Sequence, residues 1–167
     1  MKKKAQLDIA LRKNRGSRIL GPWVAKFVEA SGIKISSNNF LTLEKTEALK
    51  QSFFEKIKID KNIVHKSWPV DRLKEIMSLI GDLTISYHDV SVVLFSSVDQ
   101  YIGAICLKVS EIFPNLEAIW NVIGEDLSVT TEDLKSGICL ESNFYTETGE
   151  YRKDGVFKSS TWGSFVF

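Results

Sequence analysis

The stretch that decides the fold is residues 70–95, VDRLKEIMSLIGDLTISYHDVSVVLF, because its hydrophobic period changes at Gly81. Before this glycine, five apolar residues recur at helical spacing: Val70, Leu73, Ile76, Met77 and Ile80. After it, three apolar residues alternate with polar ones: Leu83, Ile85 and Tyr87. The change predicts a helix that begins near Pro69 and is capped by Gly81, followed by a half-buried strand over residues 82–88.

Upstream of this stretch the pattern is helical. Residues 1–20 carry seven basic residues and one acid, and they predict either a short helix around residues 7–11 or a loosely docked basic arm, interrupted at Gly16-Ser17. Gly21-Pro22 predicts the start of the next helix, because proline suits the first helical turn, and Ser31-Gly32 predicts its end. A further amphipathic helix is predicted over residues 43–57.

Downstream, short apolar runs alternate with turn residues. His88-Asp89 predicts a tight turn, and strands are predicted over residues 90–95 and 101–108, with a loop at 96–100 between them. A short helix is predicted over residues 116–123. Further strands are predicted around Leu127 and Val129, over 138–145, over 151–160 with a break at Asp154-Gly155, and at an edge over 162–167, with a turn at Thr148-Gly149.

This order of elements predicts an α+β fold. Several short strands joined by short turns favour antiparallel pairing, so the C-terminal half should form an antiparallel sheet with the N-terminal helices packed on one face. No linker rich in proline, serine or glycine divides the chain, and residues 1–167 are predicted to form a single domain.

The composition is that of a globular protein, with 44% apolar and 26% charged residues. No apolar run approaches the roughly 20 residues that cross a bilayer. The N-terminus begins with three lysines, but Asp8 and Arg12 interrupt the apolar segment that a signal peptide needs, so a cytoplasmic location is expected. Cys106 and Cys139 each lie in an apolar run and are expected to be buried thiols, with a cross-strand disulfide as the alternative.

A net charge of +1 conceals an asymmetry between the two halves of the chain. Residues 1–80 contain 17 Lys and Arg against 8 Asp and Glu, which gives 17 − 8 = +9, and residues 81–167 contain 5 against 13, which gives 5 − 13 = −8. Two interpretations stay open. The halves present separate basic and acidic surfaces, or the two layers simply attract each other when they pack.

No catalytic constellation is visible in the sequence. The only histidines are His65, in a lysine-flanked stretch, and His88, beside Asp89 at the predicted turn. His88 and Asp89 would need a nucleophile brought close by the fold to act as an enzyme centre, and a solvated turn is the simpler interpretation. Clusters with metal-ligand spacing and glycine-rich phosphate loops are absent, so neither enzymatic activity nor a cofactor is predicted.

The strongest functional signal is the mixture of carboxylates and aromatic residues in the second half. Such a mixture suits an interface with a basic protein, because charge steers the encounter and aromatic side chains anchor it. The alternative is that the aromatic residues belong to the core and the acids solvate the surface. The predicted partner-binding residues are Asp82, Asp89, Asp99, Glu125, Asp126, Glu141, Tyr145, Tyr151 and Trp162.

Three segments, Tyr101–Ala104, Ile119–Leu127 and Gly137–Glu141, resemble small bacterial immunity proteins paired with contact-dependent growth inhibition and other polymorphic toxins. The resemblance spans about residues 82–163 and lies in size, strand content and acidic patches. It implies a cytoplasmic antitoxin that binds one cognate toxin domain and covers its active site. Many such toxins are nucleases with basic clefts, which an acidic surface would match.

The basic first half leaves an alternative, a nucleic-acid-binding accessory protein. Phosphate contacts by lysine and arginine release counterions, so such binding would weaken strongly as salt rises. The residues that would make these contacts are Lys2, Lys3, Lys4, Arg12, Lys13, Arg15 and Arg18.

Overall fold

A computed structural model describes residues 2–123, 126–145 and 151–167 of the chain, with side chains for all of these except 2–6, 70, 143–145 and 151–155. The helices in these ranges are α1 (Lys2–Ser31), α2 (Leu43–Ile59), α3 (Leu73–Tyr87), α4 (Asp99–Ile102), α5 (Val109–Ile112) and α6 (Leu116–Ile123). The strands are β1 (Val64–Pro69), β2 (Ser91–Phe95), β3 (Ile105–Lys108), β4 (Asp126–Thr130), β5 (Gly137–Tyr145) and β6 (Tyr151–Trp162). Among these described helices, none is long and apolar enough to cross a membrane.

The strands form one antiparallel sheet in the order β1-β6-β5-β4-β2-β3. Helices dominate the first half of the chain and strands the second, which confirms the predicted α+β class. The predicted turn at His88-Asp89 is present, and the predicted limits of α6 are confirmed. The predicted turn at Thr148-Gly149 lies outside the described residues.

The two faces of the sheet differ, because successive side chains of a strand point to opposite faces. Val92 and Leu94 of β2 belong to a large cluster with α1, α3, α5 and α6, and we call this side the helix-packed face. Val93 and Phe95 point the other way and pack with Phe53 of α2, and we call this side the cleft face. The prediction placed the helices on one face, and α2 differs from it by lying on the opposite one.

The helix-packed face contains most of the core. Ile76 and Ile80 of α3, Ile119 of α6 and Phe27 of α1 are fully buried there. Phe113, in the turn before α6, lies edge-on to Phe165, with ring centroids 5.4 Å apart. Fully burying a side chain of this kind contributes roughly 1.5–3 kcal/mol relative to leaving it exposed, so this face supplies most of the hydrophobic stabilisation.

The predicted interruption of the first helix was wrong, because α1 runs without a break from Lys2 to Ser31 and includes Pro22. Gly16 serves another purpose than breaking the helix. A Cβ at this position would lie 2.1 Å from the backbone oxygen of Tyr101, so glycine allows α1 to approach α4 closely. The basic N-terminal segment is therefore part of a long helix.

The strand predicted over residues 82–88 was wrong, because α3 continues through Gly81 to Tyr87. Leu83 follows Ile80 by three residues and Tyr87 follows Leu83 by four. Both pack against the core, whereas Ile85 is 83% exposed. The three apolar residues thus belong to a helix, in which Leu83 and Tyr87 extend the buried stripe and Ile85 lies outside it.

Three predictions near the sheet edges were also wrong. Residues 99–102 form α4, so β3 begins only at Ile105. β6 runs unbroken through Asp154-Gly155, and the predicted strand over 162–167 is replaced by a turn of 3₁₀ helix, Gly163–Phe165, which buries Phe165. β1 was not predicted, because an edge strand with the mostly polar sequence VHKSWP lacks a clear alternating pattern.

Candidate functional site

The cleft face is only partly covered, because α2 is the single long helix that packs on it. Thr42 caps the start of α2 by accepting a hydrogen bond from the backbone N–H of Lys45 at 3.2 Å. Phe53 then anchors the helix against Phe95 and Trp162, with ring centroids 5.3 and 5.5 Å away. Polar residues of the cleft face stay exposed beside α2, among them His65, Ser67 and Lys158.

A cavity of about 380 Å³ opens between α2 and the exposed part of this face, and we call it the acidic cleft. Its walls come from α2, from the end of β2 and from the middle of the sheet. They are formed by Lys50, Phe54, Phe95, Ser96, Ser97, Ile123, Asp126, Ser128, Cys139 and Glu141. A second cavity of about 410 Å³ shares Glu141 and continues towards His65 and Ser160.

Asp126 and Glu141 form the acidic part of the cleft. They lie directly opposite each other on β4 and β5, both are exposed, and neither forms an ion pair with any described residue. Asp126 accepts a hydrogen bond from the backbone N–H of Ser142 at 3.4 Å. Lys158 is opposite Glu141 on β6 without pairing with it. Like charges directly opposite on a sheet destabilise it, and the opposite charge of Lys158 on the other side of Glu141 offsets part of that cost.

The cation in the cleft wall, Lys50, is already used by another carboxylate. Its Nζ lies 2.9 and 2.8 Å from the two carboxylate oxygens of Asp99, the first residue of α4. The side chain of Asp99 is only 2% exposed, so the lysine is needed there to balance a buried charge. Lys50 therefore pairs with Asp99 rather than with Asp126 or Glu141.

Ser96 follows β2 in the wall of the cleft and has an unused hydroxyl. The residue is 7% exposed, and its Oγ is buried without a hydrogen-bond partner in the described part of the chain. Most buried polar atoms in proteins are paired, since an unpaired one costs free energy. Because the oxygen itself has almost no accessible surface, its missing hydrogen bond is a cost inside the fold rather than a contact point of the cleft.

Cys139 forms the floor of the cleft and is not a nucleophile. Burial, aided by the nearby carboxylates of Glu141 and Asp126, raises the pKa of its thiol to about 12. The thiol contacts Ser128 Oγ at 3.4 Å and Glu141 at 3.7 Å. Since the thiolate is the reactive form, this cysteine is inert near neutral pH. Both cysteines are free; Cys139 is buried as predicted, and Cys106 is half-buried.

The structure separates the predicted partner-binding residues. Asp126 and Glu141 meet in the cleft, whereas Asp82 is exposed on α3 and Asp89 lies in the turn after it. Asp99 and Trp162 are buried and are not surface contacts.

The remaining three predicted residues are Glu125, Tyr145 and Tyr151. Glu125 lies outside the described residues. Tyr145 and Tyr151 are paired at the end of the β5–β6 hairpin, and their side chains are not described.

The predicted alternative centre, His88 and Asp89, is exposed to solvent. His88 Nε2 lies 2.7 Å from an Asp89 oxygen, and both side chains are more than 60% exposed. Lys108 also pairs with Asp89 at 3.0 Å, and its hydrogen bond lowers the pKa of that carboxyl group. The arrangement is a solvated ion pair rather than a nucleophile with its base. Within the described ranges, no group of three or more His, Cys, Asp or Glu could hold a metal ion.

Several basic residues of α1 are engaged within the protein. Arg12 pairs with Asp8 and with Glu47 of α2, and Lys13 approaches Glu44 at 3.5 Å. The guanidinium of Arg15 lies 4.4 Å from the ring centre of Tyr101. Part of the charge asymmetry seen in the sequence thus serves packing between α1, α2 and α4.

The matching family model covers residues 24–151, from the last third of α1 to the start of β6. It is the model of the YxiF protein, and it spans more than half of the chain. The chain belongs to the YxiF family. No curated protein and no solved structure matches it. In this YxiF-family protein, all residues that line the acidic cleft, from Lys50 to Glu141, fall inside the matched residues.

Proposed function

We propose that this YxiF-family protein is an immunity protein that neutralises a cognate toxin by binding it and occluding its active site. The observation that carries the proposal is the juxtaposition of Asp126 and Glu141 at an open cleft, where neither forms an ion pair with a described residue. A basic element of the toxin, such as a phosphate-binding cleft of a nuclease, is the complementary surface. Complementary charge would steer the two proteins together and give specificity.

The cleft also offers an anchor of the kind that protein interfaces use. Phe54 of α2 is 41% exposed at its rim, next to the carboxylates. Aromatic side chains are enriched among the residues that contribute most to binding, because they bury a large area with few rotatable bonds. A net charge of only +1 means that any attraction has to be local, which is what this pair provides.

The test is a rescue experiment with the toxin domain encoded beside this gene. Cells that express the toxin domain together with the wild-type chain should survive, and the purified proteins should form a complex. The double variant Asp126→Asn/Glu141→Gln should bind at least about tenfold more weakly, a difference of about 1.4 kcal/mol.

Asp82→Asn/Asp89→Asn is the matched control, because it also removes two exposed acids but leaves the cleft intact. It should rescue growth like the wild type. Equal rescue by the cleft variant, or a neighbouring toxin domain that kills despite the wild-type chain, would overturn the proposal.

Nucleic-acid binding by the basic first half stays a prediction that no contact favours. A gel shift at low salt decides it, since phosphate binding would retard the nucleic acid and weaken sharply as salt rises. No retardation would remove this alternative.

A further inference from the structure

We propose that one face of α1 is a docking surface for a membrane that contains anionic phospholipids. This face, which we call the α1 outer face, is defined by the helix positions of Lys3, Lys4, Leu7, Leu11, Arg15 and Arg18. The proposal concerns binding to the surface of a bilayer and does not depend on the toxin or on the acidic cleft.

Two leucines form the apolar part of the α1 outer face. Leu7 and Leu11 are four residues apart and therefore neighbours on the helix, and they are 61% and 60% exposed. Gly16, which allows α1 to approach Tyr101, follows Leu7 by nine residues, about two and a half turns, so Leu7 lies on the side of α1 opposite that contact. Neither leucine belongs to a core cluster of the described residues, so both can contact a partner.

Cations surround the leucines. Arg18 follows Leu11 by seven residues, on the same side of α1, and is exposed without an ion pair among the described residues. Arg15 is also exposed, with its guanidinium 4.4 Å from the ring centre of Tyr101. The helix begins with three lysines, and positions 3 and 4 precede Leu7 by four and three residues. The leucine pair thus lies within a basic stretch of the helix.

The acids near α1 already have partners. Asp8 lies 3.0 Å from Arg12, one helical turn further along. Glu47 of α2 also pairs with Arg12, and Glu44 of α2 approaches Lys13 at 3.5 Å. The α1 outer face therefore keeps a positive net charge that an anionic surface can neutralise.

The combination of leucines and cations fits a lipid surface. In the headgroup region, lysine and arginine contact phosphates while leucine side chains leave water for the acyl boundary. Nucleic acid also offers phosphates, but residues 1–22 contain no aromatic side chain on which bases could stack. A second copy of the chain would bring two positive faces together, and like charges repel. An anionic bilayer is the partner that uses both the leucines and the cations.

The test is co-sedimentation of the full chain with lipid vesicles. The chain should bind vesicles of equimolar phosphatidylglycerol and phosphatidylcholine and should not bind vesicles of phosphatidylcholine alone. Each lysine or arginine near an anionic surface contributes roughly fivefold in affinity. Binding should weaken as the salt concentration rises, because salt screens exposed charges.

The variant Leu7→Gln/Leu11→Gln tests the leucines. Removal of both apolar side chains should weaken binding to the anionic vesicles on the order of tenfold, while the positive charge is unchanged. Ile59→Gln/Ile85→Gln is the matched control, because it removes two exposed apolar side chains from α2 and α3. This control should bind the vesicles like the wild type.

The variant Arg15→Gln/Arg18→Gln tests the cations and should weaken vesicle binding at least about tenfold. Lys58→Gln/Lys61→Gln removes the same charge from the end of α2 and the turn after it, and should bind like the wild type. Thermal unfolding midpoints of all four variants within about 2 °C of the wild type would show that they are folded.

No binding to anionic vesicles at low salt, equal binding to both kinds of vesicle, or unchanged affinity of the leucine variant would overturn the membrane surface. Equal losses in the leucine variant and its isoleucine control would also overturn it, because the effect would not be specific to α1. Without vesicle binding, a gel shift of nucleic acid that the arginine variant loses and the leucine variant keeps would assign the face to nucleic acid instead.

Discussion

On the helix-packed face of the sheet, α1, α3, α5 and α6 cover the strands, whereas on the cleft face α2 covers only part of them. The first face is lined by fully buried aliphatic side chains such as Val92, Leu94 and Ile138. The second changes from Val93 and Phe95, under α2, to exposed acids beyond it. Alternate residues of the same strands thus face two different environments, a closed core on one side and a partly open cleft on the other.

The largest effect is expected from Phe113→Ala on the helix-packed face. Phe113 is 2% exposed, and its removal leaves a cavity next to Phe165. The free energy of unfolding should fall by about 3–5 kcal/mol, measured by urea denaturation. The folded fraction should still bind the toxin domain with unchanged Kd. A change in that Kd would show that the two faces are not independent.

A smaller loss of unfolding free energy is expected from Gly137→Ala at the start of β5. The new Cβ would lie 2.1 Å from the buried indole of Trp162, so the ring or the strand has to move. The expected loss of unfolding free energy is about 2–3 kcal/mol.

Gly81→Ala in α3 is the control for this change, because the nearest atom to the new Cβ outside that helix turn is the backbone oxygen of Phe113 at 3.9 Å, an ordinary contact. It should stabilise α3 by about 0.5–1 kcal/mol, since alanine favours helices over glycine. The midpoints of thermal unfolding of both variants test these opposite changes in stability. Equal shifts in the same direction would contradict the close contact of Gly137 with Trp162.

Lys50→Met tests the ion pair that supports the cleft. The change leaves the buried carboxylate of Asp99 without its cation, and removal of one partner of a buried ion pair is destabilising. Because the lysine side chain is 35% exposed, a loss of about 1–2 kcal/mol is expected rather than the full cost. The double variant Lys50→Met/Asp99→Leu should recover at least half of the loss in chemical denaturation. No recovery would mean that Lys50 acts through packing alone.

The smallest effect is kinetic and compares the two cysteines. Burial raises the pKa of both thiols, that of Cys139 to about 12, but Cys106 is half-buried while Cys139 is 2% exposed. Iodoacetamide near neutral pH should alkylate Cys106 at least tenfold faster than Cys139, as followed by mass spectrometry of the single-cysteine variants. In denaturant the two rates should converge. Equal rates in the folded protein would contradict the closed floor of the cleft.

The raised pKa of Cys139 also predicts a pH dependence. The folded state holds this proton more tightly than the unfolded chain, whose ordinary value is 9.0. The resulting stabilisation is fully present below about pH 9 and is lost as the pH rises towards 12. Cys139→Ala should therefore flatten the fall in stability over this alkaline range, measured by denaturant titrations at successive pH values.

Local patterns were sufficient to predict α2, α6, β4 and β5, because each has a clear period and a turn or cap at its ends. These patterns failed where contacts between residues distant in sequence determine the secondary structure. The alternation of Leu83, Ile85 and Tyr87 looked like a strand, but Leu83 and Tyr87 share the buried stripe of α3. Gly16 looked like a helix break, but it is the contact point between α1 and α4.

The candidate site was partly visible in the sequence. Asp126 and Glu141 were predicted as partner-binding residues, but only the register between β4 and β5 places them opposite each other. Lys50 and Ser96 were missed, because no local pattern distinguishes a helix lysine that pairs with a buried acid or a serine that lacks a partner. Which carboxylates are neutralised internally, such as Asp99, depends on contacts across 49 residues of sequence.

The position of β6 in the sheet has a consequence for synthesis. β6 follows every other strand in chain order, yet it lies between β1 and β5 and pairs with both. Until the ribosome has released it, two strands present unpaired backbone groups, which are templates for association with other chains. A nascent chain stalled before Tyr151 would therefore leave the facing edges of β1 and β5 unpaired. When β6 is added, it pairs with both edges at once.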